Sequence, residues 1–144
     1  MATPNLTTRI WLALRTKVEA LSLTPALPIL WPSEGANLPE GNCLEVTNFV
    51  NRPGGRLIKG SLPHERLGIL QVSLLSPSST ASHRETVLRE IAGDVADHFV
   101  VDEPLRYGAT TVRVYEAPDV GGTFSDEDRA RMVTPVSIRW RCYA

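Results

Sequence analysis

Cys142, His98 and Asp102 are the nucleophile, base and orienting acid that this sequence offers for a Cys-His-Asp arrangement, because separation along the chain does not forbid proximity in space. The pattern around the cysteine argues against that chemistry. Cys142 shares alternating positions with Val136, Ile138 and Trp140, the apolar side of a strand, and a buried cysteine is ordinarily an inert small hydrophobe. The second thiol, Cys43, lies far away along the chain, with no cysteine or histidine at metal-ligand spacing. Neither a zinc site nor a disulfide framework is expected, and both thiols are read as reduced.

Metal chemistry fares no better. His64 falls in a loop, His83 in the first turn of a helix and His98 in its last turn, so no two histidines share the i, i+4 spacing of a metal-binding helix face. His98 near a helix C-terminus is explained by the helix dipole. Glu116, Asp119, Asp126, Glu127 and Asp128 lack the alternating spacing of a calcium loop and read as a solvated acidic segment. No serine sits in a Gly-x-Ser-x-Gly elbow, and Gly54-Gly55 and Gly121-Gly122 read as turns outside any phosphate-binding pattern. The chain is read as a non-enzyme that uses no metal and no cofactor.

What remains is surface. Arg139 and Arg141 form, with Tyr143, a stripe on the polar side of the last strand. Such a stripe suits an acidic protein surface or a DNA backbone, and it is equally the composition of a solvated strand face.

The elements that hold these residues are legible from their periods. Asn5 to Leu21 predicts a helix with Ile10, Leu14, Val18 and Leu21 on one stripe, started near Thr3-Pro4 and stopped before Pro25. Pro28 and Pro32 hold Ile29-Leu30-Trp31 extended, as a short edge strand or a pinned linker. Ser33 to Asn42 reads as an exposed loop. Cys43 to Val50 alternates as a half-buried strand with one core face and one wet face. Asn51 to Arg56 is a turn, and Leu57 to His64 a mobile loop.

Arg66 to Leu75 carries apolar residues at both parities and is placed at the centre of a sheet. Ser82 with Glu85 forms a capping box for a helix running to Phe99, its core face being Val87, Leu88, Ile91, Val95 and Phe99. Strands follow at Thr110 to Glu116 and Met132 to Tyr143, separated by an acidic loop from Ala117 to Asp128. Pro135 suggests a bulge or an edge position. The order predicts an α+β fold in one domain, 1–144, with a mostly antiparallel sheet of four to five strands and two helices packed on one face.

Composition sets outer limits. Fifteen Lys plus Arg against sixteen Asp plus Glu give a net charge of -1, so no global basic footprint for nucleic acid exists. A hydrophobic content of 42% is enough for a core. Apolar runs such as Leu67 to Leu75 are interrupted by Gly68, Gln71 and Ser73, which predicts no membrane span. Met1 to Leu14 carries Arg9 and no small-residue cleavage site, so it is expected to be a mature helix of a cytoplasmic protein.

Several of these segments together resemble a known family. The opening helix before a Pro-rich extended stretch with Trp31, the strand Arg66-Leu67-Gly68-Ile69-Leu70-Gln71-Val72-Ser73-Leu74, the Ser-rich start of the second helix and the closing Val133-Thr134-Pro135-Val136-Ser137-Ile138-Arg139-Trp140 are similar, in order and length, to the tail terminator proteins of long-tailed phages and prophages. The resemblance implies a virion structural protein, assembled in the bacterial host cytoplasm, that forms a hexameric ring at the head-proximal end of the tail tube. The ring stops tube polymerisation and provides the head-joining surface. Implied partners are other copies of the chain, the major tail tube protein and a head-tail connector protein, with no membrane and at most non-specific contact with passing DNA.

Under that resemblance the loop Asn51 to His64, with Arg52, Arg56 and Lys59, is the candidate docking segment, while Arg139 and Arg141 face the lumen or a neighbour. The competing readings are another connector or neck protein at the head-tail junction, a small cytoplasmic enzyme with a cryptic Cys/His site, and a monomeric ligand-binding module.

Overall fold

The computed structural model describes residues 4–23, 26–32, 38–39, 41–51, 65–77 and 84–143, the side chains of residues 84 and 85 excepted. Arg52, Arg56, Lys59, His64, His83, the turn and mobile loop expected between Asn51 and His64, the capping box of Ser82 and Glu85, and most of the Ser33 to Asn42 loop lie outside the described residues.

Asn5 starts the first helix because its side chain accepts the Thr8 backbone N–H at 3.0 Å, satisfying one of the four donors that a helix start leaves open. Along the chain follow α1 (Leu6–Glu19), β1 (Ile29–Leu30), β2 (Cys43–Val50), β3 (Glu65–Pro77), α2 (Arg84–His98), β4 (Pro104–Tyr107), β5 (Thr110–Val114), β6 (Asp119–Val120), β7 (Phe124–Asp126) and β8 (Arg131–Tyr143). The strands form one sheet in the order β1-β2-β3-β8-β5-β4, with β6 and β7 also paired to β8. Only the β1–β2 pairing is parallel among these.

The α+β class holds, but the described sheet has eight strands, not four to five. Two of the extra strands, β6 and β7, lie in the segment expected to be an acidic loop. They are too short to show a period, and they exist because β8 is 13 residues long and β3 covers one of its edges only. The other edge of β8 takes β7 at Arg131–Val133, β6 at Val136–Ser137 and β5 at Trp140–Arg141 in succession. The third, β4, closes a hairpin onto β5 through a two-residue turn. Gly108, with φ of 60°, occupies the first central position, where a II′ turn demands a positive φ.

Pro135 is not at an edge, and the bulge lies on the strand facing it, where the three residues 121–123 stand opposite the two residues 134–135. Pro135 pairs in register with Ser73 in the middle of β8, and its carbonyl accepts the Gly121 N–H at 2.8 Å. Its missing N–H points to the same side, where the chain crosses from β6 to β7 and no ladder bond is required. Gly121 is needed there because a Cβ would stand 2.9 Å from the proline ring.

The packing also differs in detail from two helices on one face of an open sheet. α1 lies against β4 and β5, whereas α2 lies against β3, β6 and β8, on a sheet that curls into a half-barrel. Ile10, Leu14 and Val18 of α1 and Leu88, Val95 and Phe99 of α2 join one core with Leu44, Val46, Leu70, Val72, Val136, Ile138 and Trp140. Val87, expected on the core face of α2, is 52% exposed, and Ala92 and Ala96 take its place. β3 is central, as its two-sided apolar pattern predicts.

Trp140, the largest fully buried side chain, lies across Gly68 of β3 and donates from Nε1 to Asn48 Oδ1 at 3.0 Å. A Cβ at position 68 would stand 2.3 Å from the indole Cζ2. The glycine therefore clears the bed in which the ring rests.

The second face is wet for only part of its length. Cys43, Leu75 and Val133 are buried there beneath Leu30 and Leu38. Arg131 pins the cover in place, donating to the Gly41 carbonyl at 2.8 Å and to the Pro39 carbonyl.

Candidate assembly interface

Cys142 and His98 are each committed to packing. Cys142 is 2% exposed, and burial pushes its thiol above the ordinary value, the opposite of what a nucleophile requires. Burial likewise raises the Cys43 thiol, with nearby Arg131 opposing and Glu45 reinforcing the shift. His98 donates from Nε2 to the Lys17 carbonyl at 2.7 Å and stands edge-on to Phe99. It serves the C-terminus of α1 rather than that of its own helix. Beside it, Lys17 Nζ pairs with Glu103 at 2.9 Å, so one corner joins both helices and the residue that precedes β4. Among the described residues no group of three or more His, Cys, Asp or Glu is placed to hold a metal ion, and no helix is long and apolar enough to cross a membrane.

The polar side of β8 carries the predicted stripe. Arg139 reaches Glu116 at 3.8 Å. Arg141 lies between the rings of Tyr115 and Tyr143, with its guanidinium carbon 5.8 Å from each centroid. Arg113 stands level with Arg141 on the adjacent β5, and these residues line a shallow depression together with Thr111. Tyr143, 54% exposed, donates its hydroxyl to Glu65 at 2.9 Å. Arg139 and Arg141 are thus brought into one positively charged, aromatic patch. Where Arg52, Arg56 and Lys59 stand is outside the described residues.

Further along the same face, Arg129 joins β2 to the β7–β8 turn through Glu45 at 2.6 Å and Asp126 at 2.7 Å. The Arg129 guanidinium holds the Asp126 carboxyl below the usual carboxylate range. The acidic segment is thereby a braced turn, with Ala130 at φ of 51° closing it. Phe124, Glu127 and Asp128 remain outside this brace, and Phe124 is 52% exposed.

A second feature escaped the sequence reading. Where the core face runs out beyond Trp140, a cleft of about 250 Å³ opens between α1 and the ends of β2 and β3, lined by Ile10, Trp11, Thr47, Val50, Arg66 and Trp140 among others. Trp11 meets Trp31 edge-on at 6.1 Å, with Arg15 stacked 4.3 Å over Trp31. The Nε atoms of Arg66 and of Arg9 on α1 are buried without hydrogen-bond partners. A signal was available: Arg66 shares the parity of Leu70 and Val72, so a charge stands on the core side of a strand.

The model of the phage tail terminator protein family matches residues 9–140 of the 144. The chain belongs to that family. The tail terminator family is a structural one, which makes this protein a component of a phage tail and of the virion. No curated protein matches the chain significantly. A solved structure superposes with a TM-score of 0.68 at 21% identity, covering 92% of this terminator chain and 94% of its own. At that identity it shows a shared fold.

Proposed function

We propose that this protein closes into a homo-hexameric ring that caps the head-proximal end of the tail tube, stops tube polymerisation and presents the head-joining surface. Membership of the tail terminator family over residues 9–140 carries this reading. The ring assembles in the host cytoplasm, the whole chain 1–144 works as one terminator domain, and its partners are the tail tube protein and a head-tail connector. It acts by geometry: identical head-to-tail contacts that close leave no free interface, whereas contacts that do not close run on as a filament. No chemical step and no cofactor is required.

Arg139 and Arg141 serve this assembly as interface cations, since an exposed patch of Arg and Tyr is the composition that protein contacts favour. Arg52, Arg56 and Lys59 belong to the same proposal on sequence grounds alone. Among the described residues β1 and β4 are the edge strands of the sheet order, and an edge offers backbone groups to a neighbour.

Native mass spectrometry over a range of concentrations tests the ring, and electron microscopy of tail tubes polymerised with and without the protein tests the cap. The expected results are a species near six times 15.8 kDa and shorter tubes of uniform length. A strict monomer that leaves tube length unchanged would overturn the reading.

A further inference from the structure

Two features at opposite ends of the sheet lack partners among the described residues. One is the cleft bounded by Trp11, Val50 and Trp140, on whose wall Arg66 stands with a buried Nε that nothing accepts. A buried charged donor without an acceptor is costly, so Arg66 on the cleft wall suits an incoming anion, and Arg9 of α1 adds positive charge on the same side of Cys142. At about 250 Å³ the cleft falls below the roughly 300–1,000 Å³ of small-molecule sites and suits one aromatic anchor. Val50, 59% exposed, extends its apolar rim.

The other feature is the β7–β8 hairpin. It projects Phe124, and its turn carries the exposed carboxylates of Glu127 and Asp128. The Arg129 bridge to Glu45 and Asp126 stiffens this hairpin, so little order has to be gained when it docks. Phe124 is level with Val133, and the cleft is level with Trp140. At roughly 3.4 Å per residue along β8 the two stand about 24 Å apart. Phe124 also shares a register position with Val133 on the second face, whereas Trp140 belongs to the core face. The hairpin cannot reach the cleft of its own chain.

We propose that the cleft seats the β7–β8 hairpin of a second copy, with Phe124 entering between Trp11 and Val50 over the edge of Trp140 while Glu127 and Asp128 face the guanidinium of Arg66. The contact is heterologous, so each copy offers one hairpin and one cleft, the arrangement that repeats into a ring. This inference rests on the ring reading and specifies its contact: an aromatic anchor in a pocket, ringed by complementary charge.

Disulfide trapping in the full-length protein tests it, because the buried native thiols give little background. Ser125→Cys, exposed beside an intact Phe124, is mixed with Val50→Cys under mild oxidation, and separately with Val87→Cys, a comparably exposed control on α2. Coupling to position 50 at least tenfold faster than to position 87 is expected. Adding Phe124→Ala, or Glu127→Lys with Asp128→Lys, to the Ser125→Cys protein should slow it severalfold. Equal rates at positions 50 and 87 overturn the proposal. Native mass of the unmodified protein then separates the two ideas: a closed oligomer without the cross-link keeps the ring and discards this seat, while a selective cross-link in a protein that forms only open chains keeps the seat and discards the ring.

Discussion

The two faces of β2, β3 and β8 are built from alternate residues of the same strands, yet they hold the protein together by different means. The core face is dry: Leu44, Val46, Leu70, Val72, Val136, Ile138 and Trp140 are essentially inaccessible, and the polar group among them, the Trp140 indole N–H, is satisfied by Asn48. The second face is held by arginines. Arg131 pins residues 39 and 41, Arg129 bridges Glu45 and Asp126, Arg139 approaches Glu116, and Arg141 rests on two tyrosines. Apolar burial is worth roughly 25 cal/mol per Å², whereas ion pairs in contact with water contribute about 0–1 kcal/mol each. Most of the buried apolar surface therefore lies on the core face, and beyond the small cluster of Cys43, Leu75 and Val133 the second face keeps its arginines and tyrosines at the surface.

The sharpest break in that contrast is Trp140→Ala. It empties the largest fully buried site and leaves Asn48 without its donor, so a loss of about 3–5 kcal/mol in urea unfolding is expected. Next comes Gly68→Ala, whose new Cβ meets the indole and the Phe49 carbonyl; a cost of about 1–3 kcal/mol is expected by the same measurement. Part of that cost should vanish in the Trp140→Ala background, because the indole is then gone. Additive losses would show that the two residues do not share the bed described for them.

On the second face the effects shrink. Arg129→Ala should cost no more than about 1 kcal/mol, its side chain being a third exposed. Its signature is in pH dependence. Arg129 lowers the folded-state value of Asp126 below its unfolded one, so the contribution is complete above the unfolded value of about 3.9 and disappears as pH falls through the lower folded value. Wild-type stability should therefore drop on acidification below about pH 4, and Arg129→Ala should flatten part of that drop. The smallest change in stability, within about 0.5 kcal/mol, is expected for Arg139→Ala combined with Arg141→Ala. The same pair should weaken oligomerisation in sedimentation, and a pair that unfolds the chain instead would erase the division between the faces.

Which parts were readable in advance follows from element length. The 13-residue strands and both helices announced themselves because an alternating or 3.6-residue period repeats several times within them, and the central place of β3 followed from apolar residues at both parities. β6 and β7 escaped notice, since two or three residues carry no period and form only where β8 exposes an edge. The arginine stripe was foreseen from alternation alone. The cleft was not, because Trp11 and Arg66 come from different elements and line one cleft only after α1 packs on the sheet.

By itself, then, the sequence determined what is periodic and local: the two helices, the long strands, which parity of β8 is buried, and the family likeness. Tertiary structure decided what depends on a partner elsewhere in the chain. It settled how many strands β8 could recruit along its open edge, that Gly68 would bed Trp140, that His98 would serve the end of α1, and that the side of β2 holding Cys43 would be covered. Backbone periodicity assigns a side chain to a face, but what that face meets is set by contacts between residues far apart in sequence.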